Sequence, residues 1–176
     1  MSKSLISLAL FILAISLEGQ VKSPADFLGY ELGDRFSYHS DVVDYYYHLD
    51  EESEEIKVEE YGRTYENRPL LLAYVASAEN LAKLETIRTD NLKRVGILQG
   101  TPTTNVAIVW LSYNVHGNEA NSTEASMATV YALLTDQKVR ESLKNMVIII
   151  DPCVNPDGRD RYANFYNQFG SQPFNP

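Results

Sequence analysis

The chain has 176 residues, enough for one domain of ordinary size, and its 44% hydrophobic content is that of a globular protein, which argues against disorder. Its 24 acidic and 15 basic residues give a formal net charge of −9, which argues against a nucleic-acid partner, since phosphate binding needs a basic surface. With one cysteine, Cys153, no intrachain disulfide can form.

In chain order, residues 1–20 read as a secretory signal peptide. Lys3 supplies the positive start, residues 5–17 are almost wholly apolar yet short for a bilayer span, and Glu18, Gly19 and Gln20 end the run. The mature protein is therefore expected to be secreted or periplasmic, with no stable membrane insertion after cleavage. Residues 21–37, with Pro24, Gly29 and Gly33, form a leader expected to be irregular.

From residue 38 the pattern is that of a folded domain. Ser40 is a candidate N-cap for a helix over 41–49, where Val42, Val43, Tyr46, Tyr47 and Leu49 recur at helical spacing. The tyrosine run 45–47 suits core packing better than a binding platform. The carboxylates of 50–60 alternate around Ile56 and Val58, as on a solvated strand edge rather than in a metal cluster. Segments 56–61 and 70–76 form a predicted hairpin closed by residues 62–69. Ser77 is expected to cap a second helix with Leu81, Leu84 and Ile87 on its buried face, and 96–105 is a predicted loop.

The run 106–113 is apolar enough to predict a strand buried on both faces. A helix over 119–134 follows, with Met127, Ala128, Tyr131 and Leu134 on one face, then another turn or two within 136–145. A second apolar strand spans 147–150. Strand, helix and strand in this order predict a crossover unit. The fold class is hence α/β: a mixed, largely parallel sheet with helices on both faces. Residues 159–176 show no periodicity. Two central strands call for more strands and covering helices than are present, so 38–176 reads as the amino-terminal part of a larger domain, incomplete at its C-terminal side.

The chemistry gathers at the strand ends. His116 and Glu119 follow the first apolar strand, at the end where open α/β sheets bind ligands. Imidazole and carboxylate are both zinc ligands, and a catalytic zinc takes three protein ligands and a water. Gly117 is expected to permit the turn between them by adopting unusual backbone angles. A Glu in a first helical turn is also stabilising without metal, through the helix dipole. After the second apolar strand, Asn155-Pro156-Asp157-Gly158 has the signature of a type I turn. Cys153 reads as a small buried hydrophobe with no activating base in view.

The pairing of Asn114-Val115-His116-Gly117-Asn118-Glu119 with Asn155-Pro156-Asp157-Gly158, preceded by Gly62-Arg63-Thr64-Tyr65-Glu66-Asn67-Arg68-Pro69, resembles the zinc metallocarboxypeptidases. The resemblance covers about residues 38–161. It implies Zn2+ as cofactor, His116 and Glu119 as the first two zinc ligands, and peptide or protein C-termini as substrate. It also implies a later His as third ligand, a later Glu as general base, and an Arg and an Asn-Arg pair for the substrate carboxylate. None of these later elements is recognisable before Pro176. Arg159 and Arg161 are expected in ordinary surface roles, and His39 and His48 are not expected to be ligands. This chain alone is expected to be inactive. Related readings are a zinc amidohydrolase of N-acyl amino acids, and a non-catalytic module that kept the scaffold.

Overall fold

The computed structural model describes residues 21–169. The expected signal peptide and residues 170–176 lie outside them. Among the described residues, no helix is long and apolar enough to cross a membrane. The elements are α1 (Pro24–Leu28), α2 (His39–Glu52), β1 (Ile56–Arg63), β2 (Pro69–Val75), α3 (Ala78–Leu81), α4 (Leu84–Arg94), β3 (Ala107–Ser112), α5 (Ala120–Thr135), α6 (Gln137–Arg140), a 3-10 turn (Glu141–Lys144), β4 (Met146–Asp151) and α7 (Pro156–Phe169).

The mixed α/β architecture expected from the sequence is present. The sheet runs β1-β2-β4-β3. The β1–β2 and β2–β4 pairs are antiparallel, and β3 lies parallel to β4 with Val109 opposite Ile148 and Ser112 opposite Asp151. The β3–β4 pair is joined through α5, because parallel neighbours need a long crossover. Alternation along the strands sends Leu71, Ala73, Val75, Ile148 and Ile150 to one face, where α2 and α5 cover them with Val42, Tyr46, Leu49, Met127, Val130 and Leu134. Ala76 and Val147 pack on the other face with Ile87 of α4 and with Leu81 and Leu84, so helices flank both faces. Burying each Val, Leu, Ile or Met side chain among these contributes about 1.5–3 kcal/mol. Tyr45 and Tyr46 are fully buried and meet their polar needs locally, donating to the carbonyls of Lys22 (3.1 Å) and Ser126 (3.2 Å).

Several local expectations change in the structure. The leader contains α1, whose Ser23 Oγ accepts from the Asp26 amide at 3.1 Å. The second helix is capped from Tyr38 rather than Ser40, with the Asp41 carboxylate accepting the Tyr38 amide. On α5 the fully buried positions include Thr123, Met127 and Val130, whereas Ala128 faces solvent. The run 106–113 predicted a strand buried on both faces. Instead β3 is an edge strand among the described residues, paired with β4 alone, and its Val109 and Trp110 side chains are exposed.

The largest difference is α7. Residues 156–169 form a 14-residue helix where no periodicity is evident in the sequence. The Asn-Pro-Asp-Gly segment is its first turn rather than a free-standing β-turn. Asn155 caps it by accepting the Gly158 amide at 3.0 Å, and Pro156 takes the position where a missing N–H costs nothing. Arg159 is correspondingly not a surface residue: it is fully buried. Its Nη2 donates to Glu124 Oε1 of α5 (2.8 Å) and its Nη1 to the Ser37 carbonyl (2.6 Å). Glu124 in turn accepts the Ser37 amide and hydroxyl. One ion pair thus ties the leader, α5 and α7 together. Arg161 is exposed and pairs with Glu66.

His39 packs at the start of α2, 3% exposed, with Nε2 2.8 Å from the Pro69 carbonyl. Burial holds its pKa below the ordinary 6.5; the Pro69 carbonyl and Asp160 act the other way, and Arg159 and Arg68 act with burial. The unfolded chain therefore binds a proton there more readily than the folded one. The stability linked to His39 is complete above about pH 6.5 and is lost as pH falls from there toward the lowered folded value. Urea midpoints between pH 7.5 and 5.5 are expected to fall with pH. His39→Gln should flatten that slope, and an unchanged slope would contradict the assignment.

Candidate metal centre

The two polar loops at the carboxyl ends of β3 and β4 run side by side. The parallel pairing continues past the strands: Tyr113 N donates to the Asp151 carbonyl (3.0 Å), Val154 N to that of Tyr113 (3.0 Å), and Asn155 N to that of Asn114 (3.2 Å). The β3 loop then leaves the sheet at Asn114, which has φ 57° and is 2% exposed. Asparagine tolerates this left-handed region better than most residues. Asn114 Oδ1 accepts from Thr123 Oγ1 (3.0 Å), and its Nδ2 donates to the His116 carbonyl (2.6 Å).

Gly117 serves this loop differently from the expectation. Its φ is not in the left-handed region, which Asn114 occupies instead. A side chain at Gly117 is excluded by close approach: a Cβ there would lie 2.4 Å from both the carbonyl carbon and oxygen of Gly158. Glycine is required because the backbone of α7 occupies the space.

His116 and Glu119 are brought together at the surface. His116 Nδ1 and Glu119 Oε1 lie 3.0 Å apart, and Glu119 Oε2 accepts the His116 amide at 3.0 Å. Glu119 is the N-cap of α5 rather than part of its first turn, and its carboxylate makes no capping bond. The hydrogen bond from His116 holds its pKa below the ordinary carboxylate value, so it is an anion near neutrality. Both side chains are open, at 74% and 49% exposure. On a tetrahedral zinc, a nitrogen and an oxygen ligand stand about 3.3 Å apart. The 3.0 Å separation of His116 Nδ1 and Glu119 Oε1 is close to that spacing, and a bound metal would replace the proton that now lies between them. Among the described residues, no group of three or more His, Cys, Asp or Glu side chains is gathered closely enough to hold a metal ion, so the pair stands without a third ligand there.

The supporting residues were not evident as such in the sequence. Asp157 Oδ1 accepts from Thr64 Oγ1 and Arg68 Nη1, each at 2.7 Å, and its Oδ2 accepts the Glu66 amide at 3.3 Å. Arg68 Nε also donates to Asp160 (2.8 Å). The β1–β2 loop is thereby clamped to the start of α7, so the two motifs touch. Cys153 is buried, as expected, and burial pushes its thiol up to about 11, which rules out a thiolate near neutrality. His39 stands in the core, and His48 stacks on Phe27; neither joins the pair.

Comparison with known proteins gives this arrangement a family. The model of the zinc carboxypeptidase family matches residues 42–172, and the chain belongs to that family. Carboxypeptidase A from Helicoverpa armigera shares the fold, with a TM-score of 0.56 and 20% identity over 74% of this chain and 28% of that one. A metallo-carboxypeptidase from Burkholderia cenocepacia (TM-score 0.48, 20% identity, 70% and 27% covered) is less similar. So is bovine thrombin-activatable fibrinolysis inhibitor (TM-score 0.48, 16% identity, 77% and 34% covered). No curated relative matches the chain in sequence. The chain spans 28% of the length of the Helicoverpa enzyme.

Proposed function

We propose that residues 38–176 are the amino-terminal part of the catalytic domain of an exported zinc metallocarboxypeptidase that hydrolyses C-terminal peptide bonds. His116 and Glu119 are two of its zinc ligands. The observation that carries this reading is the 3.0 Å approach of His116 Nδ1 to Glu119 Oε1, in the open, at the carboxyl end of β3. Family membership supports the choice of zinc. The metal, when bound, supplies Lewis acidity and lowers the pKa of water. The chain's own contribution is to hold an imidazole and an anionic carboxylate on one short loop. Among the described residues no third ligand accompanies the pair. Residues 1–20 direct export.

The test is zinc titration of the full chain against a competing chromophoric chelator. Weak binding is expected, and His116→Ala should abolish it. An unchanged affinity in that variant would put the metal elsewhere and sink the assignment. The chain by itself is expected to show no turnover of peptide substrates. In the longer enzyme, cleavage of a peptide with a free C-terminus but not of its amidated form would separate a carboxypeptidase from a deacylase.

A further inference from the structure

We infer that Asn155 is a positioning residue for the His116–Glu119 pair, acting through the backbone of His116. This rests on the metal-site reading above. The direction in which a side chain leaves the backbone is set by the two peptide planes flanking its Cα, because each plane is rigid and only φ and ψ turn. Both planes at His116 are pinned. In the preceding plane, the Val115 carbonyl accepts Asn155 Nδ2 (3.2 Å) and the His116 amide donates to Glu119 Oε2 (3.0 Å). In the following plane, the His116 carbonyl accepts Asn114 Nδ2 (2.6 Å) and the Glu119 amide (3.0 Å).

The four bonds differ in kind. That of the Glu119 carboxylate is made by a candidate ligand, whose oxygens turn to a metal when one binds. The Glu119 amide bond is a local turn and moves with the loop. The two asparagine amides are the remaining pins, and they are not themselves charged ligands. Asn114 belongs to the same loop and is anchored in turn by Thr123. Asn155 alone reaches in from the neighbouring loop after β4. It holds the preceding plane against an element fixed to the sheet, and its own amide donates to the Asn114 carbonyl. Gly117 lies against the Gly158 backbone on the same side, so Asn155 and Gly158 form a single seat for residues 114–117.

Asn155 also has a purely structural task, since its Oδ1 caps α7 through the Gly158 amide. The two tasks use different atoms and can be separated. Asp is as good a helix cap as Asn, but it has no N–H to give to Val115. In the full chain, Asn155→Asp should keep the melting temperature while amide hydrogen exchange at His116 and Glu119 speeds up at least tenfold. The amides of Ile148 and Ile150 in β4 should keep their protection. Asn155→Ala should lose both the cap and the loop protection. Zinc affinity in Asn155→Asp should fall by about 10- to 100-fold, as when an outer-shell partner is removed. Wild-type exchange at His116 and Glu119 in Asn155→Asp would overturn the inference. So would a loss spread equally over β4, which would make the residue structural only. If the wild-type chain binds no zinc, the metal-site reading fails, and the exchange result still decides whether Asn155 holds the loop.

Discussion

Arg159→Met is expected to destabilise the chain by about 3–5 kcal/mol, the cost of leaving a buried charge without its partner. Arg159 is fully buried and Glu124 is 6% exposed, so solvent offers the carboxylate no replacement for the guanidinium. The loss is not confined to the pair. Ser37 donates its amide and hydroxyl to Glu124 and accepts Arg159 Nη1 on its carbonyl, so the leader loses its anchor at the same time. Urea denaturation followed by circular dichroism measures the change. The double variant Arg159→Met/Glu124→Gln should recover more than half of it, because a neutral amide still accepts from Ser37 and no charge is stranded. The excess of the two single losses over the double loss is the coupling energy. A cost below about 1 kcal/mol for Arg159→Met, the range of an exposed pair, would mean that the guanidinium is not the counter-charge the geometry makes it.

Gly117→Ala is expected to be the most damaging single-methyl change in the candidate site. Inserting a methyl group into a packed region costs about 1–3 kcal/mol, and more where neighbours cannot move. Here the neighbours are backbone atoms: Gly158 C and O at 2.4 Å and Cα at 2.9 Å from the new Cβ. Gly158 cannot retreat easily, because its amide is held by Asn155 Oδ1 at 3.0 Å within the first turn of α7. The His116 loop must lift from α7 instead. Backbone NMR shifts should change most over residues 114–119 and 155–158. Zinc binding should be lost along with the loop geometry. An alanine variant with wild-type shifts and stability would mean that the two loops do not touch as described.

The difference between β3 and α7 shows what kind of information the sequence holds. Residues 107–112 advertise a strand through an unbroken apolar run, and a strand they are. Whether such a run is covered on both faces and both edges depends on which elements lie beside it, and β3 has one neighbour among the described residues. Helix α7 failed in the opposite sense. Its buried residues are Pro156, Arg159, Asp160 and Ala163, so half of the face it packs against the protein is charged, and the contact is made by an ion pair where a run of large apolar side chains would be expected. Its cap was visible as Asn-Pro-Asp-Gly, but the same four residues also describe a β-turn, and only the chain that follows distinguishes them.

By itself the sequence determined the mixed α/β class, the β1–β2 hairpin and the parallel strands joined by α5. These are properties of periodicity and of short-range spacing, which local chemistry decides. Tertiary structure alone decided that Arg159 is a buried counter-ion, that Asp157 clamps the hairpin loop, that Gly117 is glycine because Gly158 lies against it, and that Asn155 reaches the peptide before His116. Each of those depends on segments between 35 and 122 residues apart along the chain being pressed together. Burial, close approach and hydrogen bonding across such separations arise only when the sheet stacks its helices, so no local pattern can encode them.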